Sequence, residues 1–170
     1  MDCKVKQAAG PGDSDVERGV LLTPAYTALQ PARTQMVLQA LELAHYTGRE
    51  EGVRIPWVTI EHVLPQQPSS IADWPYPDGA SSPTLEQQQA RSYMRETLGN
   101  LTMVSNPLNS SLSNGPFVAK KAKLAAESQL RMNRYFAEFA RDTWFERDIV
   151  QRGKVLAQMA MRLWPRPQSS

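Results

Sequence analysis

The spacing of apolar positions changes several times along the chain, and each change marks a new element. Residues 1–30 are rich in Gly, Pro, Ala and Asp with no sustained period, which predicts a flexible N-terminal tail or linker. From Ala32 onward Met36, Val37, Ala40, Leu41 and Ala44 fall at helical spacing, and Gly48 supplies a stop. The run IPWVTIEHVLPQ is bracketed by Pro56 and Pro65 and has the β-branched and aromatic composition of a strand. Residues 66–84 are full of Pro, Ser, Asp and Gly and predict a long loop carrying Trp74 and Tyr76. A loop of that length inside a compact domain is either functional or poorly ordered.

A polar helix follows over 85–97. Gly99 and Asn100 make a turn into a short apolar strand, Leu101–Val104, which Pro107 ends, and residues 108–113 have room for one or two helical turns. Pro116 suits the first position of a helix running to Ser128. Phe117, Leu124 and Ala125 form its predicted apolar face, with Lys120, Lys121 and Lys123 outside. A last helix is expected from Thr143, which forms a capping-box pattern with Glu146. Ile149, Leu156, Met159, Ala160 and Leu163 mark its core stripe, and Trp164-Pro165 closes it. The expected architecture is α+β, mostly helical, with a short two-stranded hairpin among several helices in one domain over 31–168.

Composition narrows the class. A chain of 170 residues holds one ordinary domain with a real core. No apolar run approaches bilayer length, so no membrane partner is expected. The segment MDCKVKQAAGPGDSD lacks the apolar centre of a secretory signal. A single cysteine, Cys3, builds neither a disulfide framework nor a zinc site, so the expected compartment is a reducing cytoplasm. Charge is divided unevenly: residues 1–114 hold 8 Lys/Arg and 12 Asp/Glu, whereas residues 115–170 hold 11 and 5. The basic stretch Lys120, Lys121, Lys123, Arg131 and Arg134 is either a phosphate-facing surface or a solvated helix face.

Chemistry concentrates in Glu61-His62 at the end of one strand, Asn100 in the turn before the next, and Asn109 at the start of a helix. Strand, turn, strand, helix is the layout of the ββα-metal, or His-Me finger, core of HNH nucleases. Phosphodiester hydrolysis needs a base to activate water, and histidine is substantially neutral at pH 7. It also needs charge neutralised on the phosphate and leaving oxygen, which a hard divalent cation on oxygen ligands provides. Neighbours on an ideal strand face opposite ways, so the strand must bend or end there for one site to use both Glu61 and His62. Each residue also has an ordinary reading: asparagines form turns and caps, and Glu-His pairs sit on surfaces. His45 reads as a surface or boundary histidine.

The segment IEHVLPQ, followed by LGNLTMVSNPLNSSLSNGPFVAKK, resembles the C-terminal domain of GmrSD-type restriction enzymes. That family's pattern is IEHILPQ, then LGNLTLL, then N-x-x-x-S-N-x-x-F-x-x-K, and this chain supplies Asn109, Ser113, Asn114, Phe117 and Lys120. Trp144, Ile149, Arg152 and Trp164-Pro165 follow in the family's order, so the likeness covers about residues 32–166. A more distant likeness joins Glu61 to Gln66 to the Asp-His-Ile-Val-Pro-Gln strand of the HNH domain in RNA-guided CRISPR nucleases. The two key asparagines of that domain are spaced as Asn100 and Asn109 are here.

The resemblance implies a DNA endonuclease of restriction or phage defence that uses a single Mg²⁺ or Mn²⁺ ion. It makes His62 the general base, Glu61 and Asn109 the metal ligands, and Asn100 the residue that positions the loop and His62. Asn106 and Asn114 compete with Asn109. Asn114, Lys120 and Lys123 are the candidate nucleic-acid contacts, with Lys120 either a phosphate contact or structural. The alternative is an inactive DNA-binding module, or a subunit of a split system whose partner is a separate nucleotide-hydrolysing targeting protein. The sequence departs from compact HNH fingers in the long stretch between His62 and Asn100.

Overall fold

A computed structural model describes residues 12–46, 48–50 and 53–165. The fold is α+β and mostly helical, with one antiparallel hairpin. Its helices are α1 (Asp13–Leu22), α2 (Ala25–Ala28), α3 (Gln30–Leu43), α4 (Leu85–Arg95), α5 (Asn106–Leu112), α6 (Phe117–Glu127), α7 (Arg134–Glu138) and α8 (Glu146–Leu163). The strands are β1 (Thr59–His62) and β2 (Leu101–Val104), in the register Glu61↔Thr102 and His62↔Leu101. Among the described residues, no helix is long and apolar enough to cross a membrane.

β2 is buried along its whole length and serves two cores at once. Leu101 and Met103 join Leu38, Leu41 and Leu156 in one cluster, while Val104 joins Val63, Leu64, Phe117, Phe136 and Trp144 in the other. This is strand alternation with protein on both faces. Thr102 hydrogen-bonds the buried Asn133 side chain, whose Nδ2 donates to Met103 O at 2.8 Å.

Several expectations are corrected. A tail was expected over 1–30, yet residues 13–28 form α1 and α2, and α1 packs along α8; residues 1–11 lie outside the described residues. The apolar stripe of α1 is narrow, essentially Val16 and Val20, and the charged Asp13, Asp15, Glu17 and Arg18 between them mask it. In α3 the expected stripe holds at Leu41, with Val37 and Ala44 packed against the core, and Leu38 joins it; Met36 lies at its edge and is 67% exposed. Lys120 does not lie outside α6: it is 1% exposed, while Ala125 is exposed. Thr143 caps nothing; α8 starts at Glu146, and Asp148 accepts the Phe145 N–H at 2.9 Å. The stripe of α8 holds at Ile149, Leu156, Met159 and Ala160 but leaves Leu163 at the exposed end.

The 66–84 segment forms no regular element, and both of its large aromatics are buried. Arg91 of α4 ties it down by donating to Trp74 O at 2.7 Å and Pro75 O at 2.9 Å, with its guanidinium 3.6 Å from the Tyr76 ring centre.

Candidate active site

β1 ends at His62, so the chain bends where both Glu61 and His62 can serve one site. They line a single cleft of about 290 Å³ together with Pro65, Gln66, Gln67, Asn114 and Lys120. The Asn100 side chain holds the bend. Its Oδ1 accepts from Leu64 N at 2.8 Å and Trp144 Nε1 at 3.1 Å, and its Nδ2 donates to Leu64 O and Arg95 O, both at 2.9 Å. The Asn100 carbonyl takes the Val63 N–H at 3.0 Å. Asn100 is wholly buried and fully committed, so it acts on the cleft only through the chain it holds.

His62 is 8% exposed. Its Nε2 lies 3.4 Å from Glu96 Oε2, and the Tyr26 ring meets it edge-on with centroids 4.7 Å apart. Burial pulls the imidazole below the ordinary histidine value, the Glu96 carboxylate pulls it back up, and Lys120 and Arg95 push it down again. The net effect favours the neutral ring at pH 7. A neutral ring that gives its Nε2–H to Glu96 keeps the lone pair on Nδ1.

Glu61 is paired with Lys120, whose Nζ stands 2.5 Å from Glu61 Oε1 and donates to the His62 carbonyl at 3.0 Å. Burial raises the Glu61 carboxyl, and the Lys120 ammonium only partly offsets it. Burial likewise lowers Lys120, with Glu61 acting against it.

A family model described as GmrSD restriction endonucleases, C-terminal domain, matches residues 10–159. The chain belongs to that family. No curated protein and no solved structure matches it.

In this GmrSD C-terminal domain the cleft gathers Glu61, His62, Asn114 and Lys120. Asn109 is half-buried on α5 and is not in the cleft wall; Asn106 is exposed at the start of the same helix. Asn114 follows α5, and its carbonyl accepts from Trp74 Nε1 and Ser69 N, both at 3.4 Å. Lys123 donates to the Ser111 carbonyl at the end of α5. Lys121 pairs with Asp142 at 2.6 Å. Arg131 and Arg134 line a different cavity, so the basic stretch does not form one surface.

Glu96 and Tyr26 are the site residues that sequence reasoning missed. Glu96 had left a signal: an acidic residue at the C-cap of α4 opposes the helix dipole, and a local contradiction of that kind marks a tertiary partner. Tyr26 gave none, because it lies in the segment read as a tail.

The Lys120–Glu61 pair makes a testable stability claim. Lys120→Met should cost about 2 kcal/mol, because it strands a largely buried carboxylate. Adding Glu61→Gln should recover most of that loss. Urea unfolding of the two variants beside wild type measures it, and an equal loss in the double variant would show that the lysine stem, not the ion pair, matters.

Proposed function

We propose that this domain is a DNA endonuclease with a ββα-metal core, in which His62 activates the water that cleaves the phosphodiester. The observation that carries the reading is the cleft itself: a buried imidazole held by Glu96 stands next to the Glu61 carboxylate at the end of β1, and Asn114 from the turn after α5 shares the same wall. The hairpin followed directly by α5 gives the strand–strand–helix order this core requires.

The donor chemistry fits one hard cation. Among the described residues no group of three or more His, Cys, Asp and Glu forms a dedicated metal cage. Mg²⁺ needs none, since it keeps several waters and binds through one or two carboxylates and the substrate phosphate. Glu61 supplies a carboxylate in the cleft wall, held by Lys120 through Oε1. Asn114 supplies an amide oxygen in the same wall, which favours it over Asn109 as the second ligand. Bound there, Mg²⁺ or Mn²⁺ would neutralise charge on the phosphate and the leaving oxygen.

His62 Nδ1 takes a proton from water, the resulting hydroxide attacks phosphorus, and the bond to the 3′-oxygen breaks; the leaving alkoxide takes a proton from solvent water, and His62 returns its proton to solvent. The products are a 5′-phosphate and a 3′-hydroxyl. Lys120 is a positioning residue here: its contacts fix the Glu61 carboxylate and the His62 main chain. Asn100 is another, through Leu64.

Plasmid nicking by the purified chain, with Mn²⁺ or with chelator, tests the reading. Glu61→Ala and Asn114→Ala should each lower the rate and shift the half-saturating Mn²⁺ concentration upward by at least about tenfold, while Asn109→Ala should shift it far less. A larger shift in Asn109→Ala than in Asn114→Ala would return the ligand role to α5. Metal-independent nicking would overturn the mechanism.

A further inference from the structure

The cavity lined by Arg131 and Arg134 also receives Arg152, His45 and Tyr135, with Met159 among its apolar wall residues, and measures about 350 Å³. Its charge is lopsided, with Glu138 as the acidic wall residue. Glu42 lies behind it, committed to the Arg131 and Met132 N–H groups at 2.9 Å each, and Glu50 pairs with Arg131 at 3.1 Å.

Arg152 is the unusual member. It is 1% exposed on α8, and its Nη1 donates to the carbonyls of Leu101 at 2.7 Å and Gly99 at 3.0 Å. Its Nη2 is buried and has no hydrogen-bond partner. Burial lowers the guanidinium to about 10, which leaves it charged at neutral pH. Its guanidinium carbon stands 5.0 Å from the Phe136 ring centre and 5.9 Å from that of Tyr135, yet among the described residues no carboxylate pairs with it, and an uncompensated buried charge is costly. The same positive field reaches His45, which burial lowers first and which Arg131, Arg152 and Arg134 lower further against Glu42.

We propose that this cavity is a binding site for a phosphomonoester of mononucleotide size, with its phosphate on the Arg134 guanidinium over the buried Arg152 charge and its organic body against Tyr135 and Met159. Phosphate suits guanidinium donors arriving from different elements, because it presents several acceptor oxygens. A cavity near the lower end of the ligand-pocket range, with apolar side chains opposite a few convergent charges, accepts a small body rather than a polymer. The site is separate from the cleft and does not depend on the nuclease reading.

Calorimetric titration of the purified chain with adenosine monophosphate, inorganic phosphate and adenosine tests it. Adenosine monophosphate should bind saturably, phosphate more weakly, and adenosine not measurably. Arg134→Ala, an exposed side chain whose loss spares the core, should weaken the nucleotide by about tenfold. Arg152→Met, which removes the buried charge, should do the same or more; if it fails to fold, Arg134→Ala decides. Asn114→Ala, in the cleft, should bind as wild type. The site is overturned if neither phosphate nor the nucleotide gives saturable heat, if adenosine binds as well as its monophosphate, if Arg134→Ala binds unchanged, or if Asn114→Ala abolishes binding.

Discussion

His62→Ala is expected to lower the DNA-cutting rate by about 10² to 10⁴-fold, the range a general base contributes, while leaving the fold and DNA affinity close to wild type. The imidazole sits at a strand end, and its partners are the Glu96 carboxylate and the edge of Tyr26, so its removal opens little of either core. Single-turnover cutting in Mn²⁺, with circular dichroism and a binding assay beside it, measures all three. Added imidazole should restore part of the rate, because the missing part is a diffusible base. A variant that cuts at the wild-type rate would exclude His62. One that loses binding along with cutting would make the ring structural.

Gly99→Ala should destabilise the domain more than any other single methyl added to the described residues, by about 4 kcal/mol, near the limit for a point substitution. A Cβ at residue 99 would stand 2.1 Å from the Ile149 carbonyl oxygen, which belongs to the backbone of α8 and cannot turn aside. The glycine is needed here for close approach, since the turn before β2 and α8 meet backbone to backbone. Gly153 makes the contrast. Its added Cβ meets Leu21 Cδ2 at 2.8 Å, the end of a side chain that can rotate, so Gly153→Ala should cost clearly less. Urea unfolding of both variants checks the order, and equal losses would contradict the backbone argument. Gly99→Ala should also impair cutting, because the displaced turn carries Asn100 and, through it, Leu64.

Elements whose identity depends on their own residues were legible from the sequence. β1 lies between its two prolines, the polar helix expected over 85–97 is α4, and the apolar run after Asn100 is a strand. The convergence of Glu61 and His62 on one cleft also followed from the strand ending there. Features set by distant partners were not legible. Lys120 looked like a surface lysine because nothing in its own helix shows that Glu61 and the His62 carbonyl wait beneath it. Arg152 sits in the apolar stripe of α8 for the same kind of reason, its partners being carbonyls of a turn far back in the chain. Thr143 and Glu146 matched a capping pattern, yet Asp148 wins the role because Arg141 also pairs with it. Asn109 and Asn114 could not be separated by spacing, since the turn after α5 decides which asparagine reaches the cleft.

The path from α1 to the imidazole is short. α1 clasps α8, Leu22 O accepts from the Tyr93 hydroxyl, and four residues later Tyr26 N–H binds the carbonyl of Glu96 while its ring rests on His62. The N-terminal helices thus act as a brace with its tip against the His62 ring. A load that pried α1 from α8 would draw Tyr26 from one side of His62 and pull on the Glu96 segment on the other, so tension on the N-terminal side of this domain would reach the imidazole.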